Sequence, residues 1–220
     1  MSGIDNKVGA IMFISINQVS VGLYTTLYPF ILERPIFLRE YANKTYGWGP
    51  YFIAKSIIEL PIQLILPTFF SLVVYFALGF NNSIDHFGFF LLVLMCAVSC
   101  GASMGFFLGC VFQTLQAAVQ LNQLVVVLPI IFNGIIANLH DLPVYLRWIT
   151  YLSVYRYECE ALIYNEFEDK VEMGIVPFSP MEKYDYNLGK WMCIYLMLAI
   201  MVGFRVLALF AFRLNIRKVQ

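Results

Sequence analysis

"VGAIMFISINQVSVGLYTTLYPFIL", residues 8–32, runs for 25 positions without an Asp, Glu, Lys or Arg. A membrane-spanning helix needs roughly 20 predominantly apolar residues, so this run can cross a bilayer with some tilt. The rest of the chain shares the bias: of 220 residues, 60% are hydrophobic and 13% charged, and mean hydropathy is +0.74. A soluble domain is about 45–50% apolar and about 25% charged, so the bilayer is the expected solvent here. The 14 basic and 14 acidic residues cancel, which leaves no electrostatic footprint for nucleic acid. No short apolar core with a small-residue cleavage site precedes Val8, so a cleaved leader is not expected. Cys96, Cys100 and Cys110 fall inside one apolar stretch and read as small packing residues rather than metal ligands or a disulfide framework.

Working outward, a second uncharged run covers Leu60 to Ile84. Its span starts near Tyr51 and carries Lys55 and Glu59 one turn apart, in the less favourable order for an i,i+4 pair, so Lys55 is expected to snorkel. No charged residue occurs between Asp85 and Asp141, a length that must hold two spans. The cluster Gln113, Thr114, Gln116, Gln120, Asn122 and Gln123 marks the expected turn between them. The first of the pair carries Gly101, Gly105 and Gly109, a small-residue stripe on one helical face that lets another helix approach closely. Residues 143–164 are apolar but hold Arg147, Arg156, Glu158 and Glu160, and are expected as helix lying at, or dipping into, an interface. A polar loop over 165–190 then leads to a last span. His86 and His140 sit singly at span ends, with no His/Asp/Glu cluster of the kind membrane catalysis needs.

The expected fold is therefore all-α: an integral, multi-pass membrane protein with five spans at about 8–30, 51–80, 87–111, 120–138 and 191–212. Segment 33–46 connects the first two, and 139–190 forms an outer region. Four basic residues in 33–59 and three in the tail after the last span put both on the cytoplasmic side.

The charged segment beyond the opening run is "ERPIFLRE", residues 33–40. Laid out as a helix, Glu33, Glu40 and Lys44 fall within roughly 40° of one another, beside an apolar face of Phe37, Leu38, Tyr41 and Ala42. Spacing alone fits an amphipathic helix along the membrane face and a solvated, topology-setting loop equally well.

This octet resembles the E-R-x-x-F-x-R-E pattern of ABC transporters of subfamily G, the White and breast-cancer-resistance type. "YGWGPYFIAKSIIELP" (46–61) resembles the start of that family's next span. "FNGIIANLHDLPVYLRWITYLSVYRYECEALIYNEF" (132–167) resembles its fifth span and outer re-entrant region, down to Asn165, Glu166 and Phe167. The resemblance runs from about residue 8 to the end of the chain.

It implies the second to sixth spans of the ABC-2 type membrane domain of a half-transporter. The family's first span and its ATPase domain are not among these residues, and no G-x-x-x-x-G-K-[ST] occurs. ATP and Mg would act on a nucleotide-binding domain elsewhere, in the same full-length chain or another, and this chain would be no enzyme by itself. Glu33, Arg34, Phe37, Arg39 and Glu40 would meet that domain. A homo- or heterodimer with a second half-transporter would enclose a cavity for a hydrophobic or lipid-like substrate, lined by Asn17, Ser20, Val126, Val127 and Ile130. Asn17 and Gln18 would serve interhelical hydrogen bonding equally well. Ile135 and Ile136 match the family's paired gate leucines, and core packing would account for them as well. The other expectation for such a chain is a catalytically silent membrane subunit that dimerises with complete half-transporters.

Overall fold

The computed structural model describes residues 2–81, 83–112, 114–136, 147–172 and 180–217. Its helices are α1 (Ser2–Ala42), α2 (Trp48–Ala77), α3 (Ile84–Val111), α4 (Leu115–Ile131), α5 (Arg147–Leu152), α6 (Val154–Glu172), α7 (Pro180–Lys183) and α8 (Lys190–Arg217). No strand occurs among the described residues. α1, α2, α3 and α8 are each long and apolar enough to cross a membrane. α4 has 17 residues; at 1.5 Å per residue it is about 25 Å long, slightly short of a full crossing. The expected far end of that span, at 137–138, lies outside the described residues, as do His140, Asn82 and parts of the outer region.

Cross-contacts define two ends of a bundle. At one end Lys7 of α1 reaches Glu166 of α6 at 2.6 Å and the Gly79 carbonyl after α2 at 2.8 Å. His86 at the start of α3 meets Asp169 of α6 there, at 2.8 Å. At the other end Arg34 of α1 donates to the Phe112 carbonyl after α3 at 2.8 Å, and the Phe37 ring lies 5.1 Å from Phe212 of α8. α4 returns toward the first end, where Ser153 bonds the Pro129 carbonyl and Tyr186 the Asn133 carbonyl. Five helices thus alternate in direction, with α5, α6 and α7 gathered at the Lys7 end.

α3 is the central element, packed by α1, α2, α6 and α8. Two-thirds (67%) of its spanning window is buried, against 22% for α2 and for α8. Small residues make this close packing possible. A methyl group at Gly101 would sit 2.1 Å from the Val19 carbonyl oxygen, and one at Gly105 would sit 2.5 Å from that of Leu23. Gly22 of α1 answers from the other side, 2.1 Å from the Val98 carbonyl oxygen by the same measure.

Four features depart from the sequence expectations. Segment 33–46 is not a separate connecting helix: α1 runs on to Ala42 through Pro29 and Pro35. The reason is a continuous apolar face. Phe30 and Phe37, seven residues apart, both pack against Phe212, with ring centroids at 5.8 and 5.1 Å. The hydroxyl of Thr25, whose carbonyl loses its partner to Pro29, bonds back to Val21. α1 ends where Lys44 turns to φ 58° and Thr45 N–H closes onto the Glu40 carbonyl. Second, the connection between α3 and α4 is shorter than expected: Thr114 lies in it, Gln113 is outside the described residues, and Gln116, Gln120, Asn122 and Gln123 lie within α4, with Asn122 fully buried. Third, α6 extends to Glu172, well into the expected loop, and its Glu158 and Glu160 are buried within the bundle. Fourth, Lys55 does not snorkel. It is buried and ion-paired, because α1 brings a carboxylate to it that nearest-neighbour spacing does not reveal.

Candidate functional site

The buried face of α2 carries Lys55, Glu59, Gln63 and Ser71 at multiples of four residues, so the four project from one side. α1 faces this stripe. Lys55 Nζ donates to Glu33 Oε2 at 2.7 Å and stands 3.9 Å from Glu59 Oε1. Thr26 of α1 donates its hydroxyl to Glu59 Oε2 at 3.0 Å. One cation is thus shared by two carboxylates, one deep and one at the helix end. Breaking a buried pair of this kind costs more than forming it contributes, so the relative position of α1 and α2 is tightly specified.

Next to Glu33, Arg34 is buried and caps the end of α3 through the Phe112 carbonyl. Phe37 is 1% exposed, its ring 4.2 Å from Tyr51 and 5.8 Å from Tyr41. Edge and offset aromatic contacts like these add to simple burial. Glu40 accepts from the Tyr46 hydroxyl. That bond, then burial, raises the Tyr46 phenol to about 12. Arg39 alone of the five is exposed. Beside it, Leu38, Tyr41, Ala42, Lys44, Tyr46, Gly47 and Ile216 line an open groove of ≈ 490 Å³. Four of the five residues are therefore tied into α2, α3, α8 or the α1–α2 turn, and the fifth faces outward beside a groove.

The other singled-out residues fall in separate places. Asn17 and Ser20 are half-buried on α1, and Val126 and Ile130 are half-buried on α4, which packs on α1. Val127 is 49% exposed. Ile135 and Ile136 follow α4 in a turn built by Asn133, whose side-chain oxygen accepts from both backbone N–H groups, at 2.8 and 3.2 Å. Gly134 supplies the positive φ of 94° that this turn requires. Gly101, Gly105 and Gly109 all face α1, Gly109 against the Phe30 ring.

Sequence reasoning missed three polar contacts. Arg205 of α8 donates through Nε to Ser103 of α3 at 3.1 Å and lies 4.9 Å above the Phe106 ring. His86 bonds both Asp169 and Asn165. In α6, Glu160 accepts from the Leu188 N–H at 2.6 Å, and burial raises both its carboxyl and, further, that of Glu158. None of these left a legible trace in the sequence, whereas the polar stripe of α2 did, as the four-residue spacing from Lys55 to Gln63. All five cysteines are free thiols.

A sequence profile described as "ABC-2 type transporter" matches residues 1–167. The chain is 30% identical to Protein white of Drosophila melanogaster over 98% of its own length and 33% of that protein's. It is 28% identical to the "Broad substrate specificity ATP-binding cassette transporter ABCG2" of Mus musculus, over 76% of the chain and 25% of the relative. The Caenorhabditis elegans "ABC transporter ATP-binding protein/permease wht-1" is 32% identical over 74% of the chain and 24% of the relative. The chain thus spans a third or less of the length of these relatives.

Proposed function

The chain belongs to the ABC-2 type transporter family, and on that premise we propose that it forms the membrane portion of an ATP-driven subfamily G transporter. The observation that carries the reading is the joint at the 33–41 end of α1. There a surface segment able to receive a soluble domain is held to the spans by the Glu33–Lys55 pair, the Arg34 cap on α3 and the Phe37 cluster.

A nucleotide-binding domain seated near Arg39 and the adjoining groove would push on a helix that continues unbroken to Ser2. Displacement at Arg39 would therefore be delivered along α1 to Ser20 and Asn17 instead of being absorbed in a hinge. Glu33 and Lys55 carry the same displacement sideways to α2, and Phe37 carries it to α8. ATP and Mg belong to the nucleotide-binding domain, and this chain contributes no residue to their chemistry. A second half-transporter, the same or different, would pack on the α1–α4 side and close the cavity lined by Asn17, Ser20, Val126, Val127 and Ile130. Ile135 and Ile136, on their Asn133-built turn, would close its far end by excluding water. The apolar lining suits a hydrophobic or lipid-like substrate.

The test places Glu33→Ala with Arg39→Ala in the complete transporter. The expected result is normal assembly and membrane insertion, with ATP hydrolysis retained and transport lost. Transport at the wild-type rate per ATP hydrolysed overturns the coupling role.

A further inference from the structure

At the Lys7 end of the bundle, opposite the 33–41 joint, the His86 ring of α3 is held by the last two turns of α6. Its Nδ1 faces the Asn165 backbone carbonyl at 2.8 Å and the Asn165 side-chain oxygen at 3.2 Å. Its Nε2 faces Asp169 Oδ2 at 2.8 Å. Asn165 does not turn its amide to donate to the ring, because its Nδ2 is engaged with the His86 carbonyl at 3.0 Å. Every partner of the ring is therefore an acceptor. A neutral imidazole has one N–H and one lone pair. Whichever nitrogen kept the proton, the other would point its lone pair at an oxygen 2.8 Å away. An imidazolium donates from both nitrogens, and each distance then fits an N–H···O bond.

The surrounding charges support that extra proton. Asp85 stands beside His86 on α3, and Glu166, Glu168, Asp169 and Lys170 come from α6. Lys7 of α1 and Lys170 both pair with Glu166, and Lys190 of α8 pairs with Glu168. Four carboxylates thus face three ammonium groups, and an imidazolium brings the cluster to neutrality. The ring is also within reach of solvent: an open cavity of ≈ 600 Å³ is lined by Asp85, His86, Asn165, Asp169, Lys190 and Trp191 among others.

We propose that His86, Asn165 and Asp169 form a proton-operated clasp that seats the end of α6 on α3 while the ring carries both protons and releases it when one leaves. The released proton passes to water in the cavity, and the exposed lone pair then repels an oxygen of α6. α6 also holds the far end of the bundle together. Its Glu160 accepts from the Leu188 N–H, and two residues earlier the Tyr186 hydroxyl donates to the Asn133 carbonyl at the turn that carries Ile135 and Ile136. Acidity in the compartment opposite the nucleotide-binding domain would thus keep that turn seated. The link to the gate rests on the proposed function, whereas the clasp itself does not.

The sequence has two histidines, so ¹⁵N-histidine labelling of the full-length protein carrying His140→Gln leaves one ring to observe by NMR in phospholipid nanodiscs. At pH 7, where a histidine of ordinary pKa near 6.5 is mostly neutral, the His86 ring is expected to show two N–H groups. Hydrogen exchange along 165–172 gives the mechanical readout. After correction for the intrinsic pH effect, it should rise about tenfold between pH 6 and pH 8.5, the change that one released proton produces over a single pH unit. The sign follows from linkage: a proton held more tightly in the fold stabilises it at low pH, and the gain is lost as pH rises. His86→Gln should abolish the rise. Asp169→Asn should also abolish it while keeping the protection, because an amide can donate to a neutral ring as well as accept from it. A purely structural contact predicts no such rescue. A neutral ring at pH 7, equal corrected exchange at both pH values, or the same rise in either variant would overturn the clasp. Neither measurement needs ATP or transport, so its failure and a failure of the coupling reading are distinguishable.

Discussion

Lys55 shows how one side chain can mislead sequence reasoning and still be understood. Its spacing to Glu59 is unfavourable for an i,i+4 pair, and that weakness is real: the two stand 3.9 Å apart. The stronger contact, 2.7 Å to Glu33, comes from 22 residues away on another helix. The two carboxylates differ in setting, since the Glu33 side chain is 46% exposed and that of Glu59 only 9%. Lys55→Met is therefore expected to destabilise by about 3–5 kcal/mol, because Glu59 is left buried without its cation. Glu33→Gln should cost only about 0–1 kcal/mol, as for an exposed pair. Adding Glu59→Gln to Lys55→Met should recover most of the loss, and thermal unfolding of the four proteins in detergent checks all three expectations. Equal losses for Lys55→Met and Glu33→Gln would show that depth does not distinguish the two carboxylates.

At the scale of the element, the glycine register of α3 was readable because small residues at four-residue spacing share a face. Which helix meets that face was not readable. α1 does, closely enough that a Cβ at Gly101 would lie 2.1 Å from backbone, whereas one at Gly203 of α8 would meet nothing within 4 Å. Gly101→Leu is thus expected to push α1 from α3 and lower the unfolding temperature or abolish accumulation in the membrane, an overpacking cost of at least about 1–3 kcal/mol. Gly203→Leu should leave both unchanged, and comparable losses for the pair would remove close approach as the explanation. α1 itself carries the opposite lesson. Two prolines and a charged octet suggest a break at Glu33, yet the packing of Phe30 and Phe37 against one α8 aromatic keeps the helix whole. A proline inside a helix costs about 3 kcal/mol, a local penalty that this packing offsets.

For the whole molecule, the seating of α6 in the bundle makes stability depend on pH. Glu158 is fully buried, and its carboxyl is raised well above the ordinary value of 4.5, chiefly by burial, with the Ser15 hydroxyl offsetting part of the effect. Below about pH 4.5 folded and unfolded chains both hold the proton, so this group does not affect stability. Above it the unfolded chain releases the proton and the folded chain keeps it, so stability falls as pH rises until the folded value is passed. Glu158→Gln removes this dependence. Between about pH 5 and pH 8 the wild-type melting temperature should fall relative to the variant, which should be the more stable at the upper end. Parallel pH profiles would show that Glu158 ionises freely in the fold.

The residues by themselves determined the solvent, the helical class and the likeness to the ABC-2 transporter family. Runs of apolar residues, and motifs such as "ERPIFLRE", are local properties that survive without knowledge of what they touch. Tertiary structure alone decided which groups meet: Lys55 with Glu33, Arg205 with Ser103, Phe37 with Phe212, and Gln63 with no protein partner. The physical reason is that a buried charge or amide is satisfied by whichever distant helix the packing brings within about 3 Å. Helical spacing shows which face such a group lies on, but not which neighbour covers that face.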